Sequence, residues 1–89
     1  MEDGTLSMEE VLQRLVNEMG DLIVTIPNAD TKKGQLVFFV DINCFEDLYK
    51  AFFKIKSQYC LIVSREARRP DYRICWIATK NRAKQIISL

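Results

Sequence analysis

The segment 35–41, QLVFFVD, constrains the fold of this chain more than any other stretch. Side chains alternate between the two sides of a β-strand, so Leu36, Phe38 and Val40 would point to one side while Val37 and Phe39 point to the other. A strand that is apolar on both sides is typical of the middle of a sheet. The sequence therefore predicts a central strand that needs a cover on both faces.

An amphipathic helix is predicted near the start of the chain. Ser7 and Glu10 form the S-x-x-E pattern of a capping box, in which each side chain accepts a hydrogen bond from the other residue's backbone. Apolar residues then recur at three- and four-residue spacing as far as Met19, and Gly20 follows where a helix commonly ends. We expect one face of this helix to be buried.

A second helix is predicted after the central strand. Asn43, with Glu46 three residues later, has the pattern of a helix start, and an apolar stripe runs from Phe45 to Ile55. A short closing helix is predicted from Asn81 through Leu89, with Ala83, Ile86 and Ile87 facing inward.

Segments 21–26, 58–64 and 71–79 complete the pattern as further strands, because they are rich in apolar and β-branched residues between turn signals. The fold class is therefore α+β, a single mixed β-sheet of four strands with three helices in the order α-β-β-α-β-β-α. Residues 1–89 form a single domain. The connection from strand two through the second helix to strand three predicts that these strands run parallel, whereas each outer hairpin is antiparallel.

The orientation of the last strand follows from the same alternation. We expect Tyr72, Ile74 and Trp76 to face the core. The outward side would then carry Arg73, Cys75, Ile77 and Thr79. Together with Val37 and Phe39, this outward surface is more apolar than water-facing positions need be, which favours a protein partner.

Composition argues against several chemistries. There is no histidine, so histidine-based nucleophilic triads, general bases and metal ligands are excluded. Cys44, Cys60 and Cys75 lack paired zinc-site spacing and lie among large apolar residues, as reduced buried thiols do. With three glycines there is no phosphate-binding glycine loop, and no cofactor is expected. No apolar run approaches the roughly 20 residues of a membrane span, and the acidic start lacks secretory-signal features, so we expect a cytoplasmic, reducing compartment.

The stretch 64–73, SREARRPDYR, is a candidate contact surface. Its arginines could bind phosphates or carboxylates, since a guanidinium donates two parallel hydrogen bonds. Basic residues follow again after the last strand, about 30 Å away by strand rise. The candidate contact residues for nucleic acid or an acidic partner are Arg65, Arg68, Arg69, Arg73, Lys80, Arg82 and Lys84. A solvated turn joining two strands is the alternative.

The element order is similar to that of the restriction-endonuclease-like nucleases, and "NAD" followed by "DIN" resembles their P-D…(D/E)-x-K metal site. The resemblance implies that Asp30 and Asp41 would be the two metal-binding carboxylates. Asn43 stands in the place of the lysine and lacks its positive charge. The resemblance would therefore be that of an inactive relative of these nucleases. Ordinary roles are the alternative, with Asp41 ending a strand and Asn43 capping a helix.

The function predicted from these patterns is a small non-enzymatic interaction module that forms a homodimer through an apolar sheet or helix face. The acidic first part of the chain and its basic last part would also attract each other within or between subunits. The alternative is a nucleic-acid-binding protein that uses the basic hairpin and the residues after it. A degenerate nuclease is a third hypothesis.

Overall fold

The computed structural model describes residues 6–26, 34–41, 43–69, 71–79 and 86–88, with only the backbone at 66–69 and 88. The elements are helix α1 (Met8–Met19), a 3-10 turn (Gly20–Leu22), strands β1 (Ile23–Thr25) and β2 (Gln35–Asp41), helix α2 (Phe45–Ile55), and strands β3 (Tyr59–Arg69), β4 (Tyr72–Thr79) and β5 (Ile86–Ser88). The α+β class with one mixed sheet is confirmed. Across these ranges, however, there are two helices and five strands, where four strands and three helices were predicted.

The sheet has the strand order β1-β2-β4-β3-β5. The pairs β1–β2, β2–β4 and β4–β3 are antiparallel, and β5 pairs with β3 in parallel. Both outer hairpins are therefore antiparallel, as predicted. Strands β2 and β3 also run in the same direction, as predicted, since each is antiparallel to β4. They are not neighbours, because the connection through α2 leaves a gap between them that β4 fills.

The predicted closing helix is wrong where the structure describes it. Ile86–Ser88 is the edge strand β5, and its residues pair with Leu61, Ile62 and Val63 of β3. A helix of fewer than ten residues is marginal by itself, whereas β-branched Ile86 and Ile87 suit a strand that satisfies the exposed edge of β3. The predicted cap Asn81 and the predicted inward residue Ala83 lie outside the described residues.

Helix α1 begins as its sequence predicts. The Ser7 side chain accepts a hydrogen bond from the Glu10 backbone N–H at 3.1 Å, and the Glu10 carboxylate accepts one from the Ser7 N–H at 2.8 Å. Gly20 ends the helix at φ 60°, a conformation that a residue with a Cβ adopts only with strain.

Helix α2 begins differently from its prediction. Its N-cap is Cys44, which makes no side-chain capping bond, and Asn43 does not cap the helix. The Asn43 N–H instead donates to Asp41 Oδ1 at 2.8 Å, so the aspartate closes the turn that leads out of β2.

The core lies on one side of the sheet. Both helices bury their apolar stripes against the same sheet face, in one continuous cluster. From the helices this cluster takes Val11, Leu12, Leu15, Met19, Leu48, Ala51 and Phe52, and from the sheet Ile23, Leu36, Phe38, Val40, Leu61, Val63, Cys75 and Ile77. The sequence predicted a cover on both faces of β2. The described helices cover only one of them. Neither of the two described helices is long and apolar enough to cross a membrane.

The prediction for the two faces of β4 is wrong. Cys75 and Ile77 are completely buried under the helices, whereas Ile74 and Trp76 lie half-buried on the other side. Both alternating sets of this strand contain apolar residues, so alternation alone does not determine which set faces inward. The register with β2 decides it, because Cys75 lies opposite Phe38 and Ile77 lies opposite Leu36.

Candidate functional site

The side of the sheet opposite the helices carries an apolar surface, which we call the open face. It consists of Val24, Val37, Phe39, Ile62, Ile74, Trp76 and Ile87. These residues share a side because their strands pair in register: Val24–Phe39–Ile74 forms one row and Val37–Trp76–Ile62–Ile87 forms a second. The open face thus extends over all five strands of the sheet.

None of the seven open-face side chains belongs to the core cluster. Val24 is 40% exposed and the other six are half-buried. Neither of the described helices lies on this side of the sheet. The two rows contain no charged residue, which is unusual for a surface in contact with water.

Sequence reasoning identified only part of this surface. Val37 and Phe39 face outward as predicted, but Cys75 and Ile77, which were assigned to the same surface, are in the core. Trp76 and Ile74 are the residues that replace them. Their alternation in the sequence was visible, but only the pairing of Trp76 with Val37 places them on the open face.

A second surface lies at the far end of the β3–β4 hairpin. Strand β3 continues to Arg69, so the arginines that were assigned to a loop belong to a strand. We call Arg65 and Arg73, the two arginines of this hairpin whose side chains are described, the arginine end. From the pair Val63–Cys75 to the pair Arg69–Tyr72, β3 advances by six residues and β4 by three. The three extra residues bulge out of the ladder and increase the local bend and twist of β3.

Arg73 is the anchor of the arginine end. Opposite Val40, it lies on the helix side of β4, and its guanidinium lies 4.8 Å from the centre of the Phe45 ring. That ring stacks in turn on Tyr49, with 6.3 Å between ring centres. The Nε atom of Arg73 is buried and has no hydrogen-bond partner within the described part of the chain. The cation–π contact with Phe45 favours this position of the guanidinium, although it provides no acceptor for the Nε–H.

The other predicted contact residues are described less fully than Arg73. Arg65 is exposed and forms no hydrogen bond or ion pair in the described ranges. Arg68 and Arg69 are placed by their backbone only. Lys80, Arg82 and Lys84, the remaining predicted contact residues, lie outside the described residues.

The predicted nuclease carboxylates are not both described. Asp30 lies outside the described ranges. Asp41 ends β2, as predicted, and its side chain is engaged by the Asn43 N–H. Within the residues searched, no group of three or more potential metal-ligating side chains comes together.

The three cysteines are free and buried. Burial raises the pKa of Cys44 to about 11, and the nearby carboxylates of Asp41 and Asp47 contribute to that rise. Burial likewise raises the pKa of Cys75 to about 12, with a further contribution from Cys44. Both thiols are therefore protonated at neutral pH and are poor nucleophiles.

Helices α1 and α2 enclose a shallow open groove of about 260 Å³, with Met19, Leu22 and Ala51 among its lining residues. Lys54 crosses it to form an exposed ion pair with Glu18 at 3.0 Å. The groove carries charges of both signs from Glu18, Asp47, Lys50 and Lys54.

Comparisons with protein-family models, with curated proteins and with solved structures found no match for this chain. Its function must therefore be argued from its surfaces. The open face and the arginine end are the two that differ most from an ordinary solvated surface.

Proposed function

We propose that this protein is a small non-enzymatic interaction module that forms a homodimer through its open face. The observation that carries the proposal is the uncharged apolar surface in register across five strands, on the side of the sheet away from both helices. Burial of such a surface against an equal surface removes apolar area from water on both molecules at once. Three buried thiols without a disulfide fit a reducing compartment for this dimer.

The composition of the open face suits an interface core. Aromatic residues are enriched and charges are depleted in the centres of protein interfaces, and Phe39 and Trp76 are its two largest side chains. Trp76 lies in the middle of its row, between Val37 and Ile62. We therefore expect Trp76 to be the residue whose truncation costs most binding free energy.

A second copy is the partner we favour because the surface is self-complementary in chemistry. The same flat apolar patch on two molecules packs about a two-fold axis, as sheets do when they stack about 10 Å apart in a sandwich. With strands about 4.8 Å apart and same-side residues about 6.6 Å apart along each strand, the seven residues cover roughly 220 Å² of the sheet. A standard interface uses about 800 Å² per partner, so we expect micromolar rather than nanomolar affinity.

Sedimentation equilibrium tests the proposal. At about 100 μM, where a micromolar dimer is populated, we expect the mass of two chains. Phe39→Lys places a charge in the middle of the open face and should give a monomer. Phe53→Lys is the matched control, because Phe53 is 54% exposed on helix α2 and should leave the dimer intact.

A monomeric wild type at that concentration would contradict the proposal, as would equal effects of the two lysine variants. Circular dichroism of both variants would show that each still folds. The nucleic-acid alternative uses the arginine end, on a different part of the molecule, and is tested separately below.

A further inference from the structure

We infer that the arginine end is a carboxylate-binding surface that docks on the acidic helix α1 of another copy of this chain, with Arg73 as its anchor. The contact is separate from the open-face dimer and would join dimers to one another. Its starting point is Arg73, a half-buried cation whose Nε has no acceptor in the described part of the protein. Arg73 also forms no ion pair among the described residues, so no carboxylate there neutralises its partly desolvated charge.

The chemistry of the acceptor follows from the guanidinium. Its planar fork of N–H groups matches the two oxygens of a carboxylate or phosphate. The Phe45 ring, 4.8 Å away, covers one part of Arg73 and fixes its direction, so less side-chain freedom is lost when an oxyanion binds. Arg65 is exposed, has no ion pair among the described residues, and follows the start of the bulge in the same hairpin.

The source of the carboxylates lies on the same chain. Helix α1 and the turn after it expose Glu9, Glu10, Glu18 and Asp21, with Arg14 as the one exposed base between them. Glu9 and Asp21 form no ion pair in the ranges described. Acidic and basic surfaces on one molecule attract the opposite surfaces of its neighbours.

A nucleic acid is the less favourable partner for the same arginines. The chain has a net charge of +1 and a pI of about 7.7, whereas nucleic-acid-binding domains commonly have a pI above about 9. The acidic surface of α1 would repel a phosphate backbone and would attract the arginine end of another copy.

The two contacts are compatible with each other. The open face lies on the side of the sheet away from α1, so a two-fold dimer through the open face leaves both charged surfaces free. A contact between two different surfaces is heterologous and does not close on itself, so it would join dimers into open chains. Exposed ion pairs are weak and screened by salt, so these chains should form only at low ionic strength.

Sedimentation velocity of the full chain at about 25 mM and about 400 mM NaCl tests the inference, because the Debye length falls from about 20 Å to about 5 Å. We expect species larger than a dimer at low salt and dimers at high salt. Arg73→Gln should raise the concentration needed for low-salt assembly at least fivefold, and Arg73→Lys should rescue it only in part because lysine lacks the fork. Lys50→Gln makes the same change in net charge elsewhere on the surface and should shift assembly less than twofold.

A mixing experiment identifies the partner surface. One variant, Arg65→Gln/Arg73→Gln, removes the two cations that carry the inference and leaves the acidic surface unchanged. Another, Glu9→Gln/Asp21→Asn, removes the two unpaired carboxylates of the acidic surface and leaves the arginine end, the capping box and the Glu18–Lys54 pair intact. Neither should assemble alone, whereas their mixture should form mixed species at low salt. Assembly independent of salt, or a mixture that does not associate, would overturn the inference. Binding of a 20-nucleotide strand through Arg73, without self-assembly at low salt, would overturn it in favour of nucleic acid.

The high-salt measurement separates this inference from the proposed function. Monomers at high salt with larger species at low salt would remove the open-face dimer and leave the arginine contact. Dimers at every salt concentration would support the open-face dimer and remove the arginine contact.

Discussion

At the scale of single residues, the environment of Cys75 has a consequence for stability at high pH. The pKa of this thiol lies at about 12 in the folded protein against an ordinary value of 9.0, mainly because it is buried. A group whose pKa is raised by folding contributes stability below its unfolded pKa, and that contribution is lost as the pH rises toward the folded value. The relevant range here is therefore pH 9 to 12.

We expect Cys75 to make the protein less stable at pH 10 than at pH 7 by about 1.4 kcal/mol, because the thiol ionises only in the unfolded chain. Urea unfolding at both pH values would measure this loss for the wild type and for Cys75→Ala. The variant should lose about 1.4 kcal/mol less between the two pH values, whatever the cavity costs at each. Equal losses in the two proteins would show that the thiol is not protected from ionisation.

At the scale of elements, the start of α1 depends on two reciprocal hydrogen bonds between Ser7 and Glu10. Ser7→Ala removes the acceptor for the Glu10 N–H, so we expect the free energy of unfolding to fall by about 1 kcal/mol. Ser7→Asp keeps an acceptor at the same position and should be nearly neutral. Chemical denaturation of the three proteins gives the comparison, and an alanine variant as stable as the aspartate variant would contradict it.

The faces of β4 can be tested with one substitution at two positions. Ile77 is fully buried beneath the helices, and Ile74 is half-buried on the open face. In the monomer, Ile77→Val should cost about 1 kcal/mol because it leaves a cavity in the core. Ile74→Val should cost less than about half of that, because neighbouring side chains and water fill the space. Unfolding in a Phe39→Lys background would measure both without the dimer, and the reverse order would mean that the strand is flipped.

At the scale of the whole molecule, the described part of this 89-residue chain forms a five-stranded sheet with two helices on one side of it. A domain of this size buries only about 60 to 65% of the surface of its unfolded chain, so its stability margin is small. Association through the open face would add to that margin. Folding and dimerisation would then be coupled, since a partner that binds only the folded chain stabilises it by mass action.

The coupling predicts that thermal stability depends on protein concentration. We expect the midpoint of unfolding to rise between about 2 and about 200 μM for the wild type, because the higher concentration favours the dimer. The Phe39→Lys variant should show no such rise. Calorimetry or circular dichroism at both concentrations would measure it, and a wild-type midpoint that does not change would argue against a dimer that stabilises the fold.

What the sequence by itself determined is local. The capping box, the amphipathic stripes of α1 and α2, and the bounds of β2 follow from residues within a few positions of one another, because hydrogen bonding and helical periodicity act over that range. The class of the fold, α+β with a mixed sheet, follows from the order of these elements. The alternation along β2 predicted that Val37 and Phe39 share a side opposite Leu36, Phe38 and Val40.

Only the tertiary structure decided the rest. Contacts between residues far apart in the chain place β4 between β2 and β3 and pair β5 with β3. Such contacts also bury Cys75 and Ile77 in the core. Tyr72, Ile74 and Trp76 are the larger apolar set of β4, yet Cys75 and Ile77 are the residues buried beneath the helices. The register of β4 with β2 determines this orientation, and it places Trp76 on the open face.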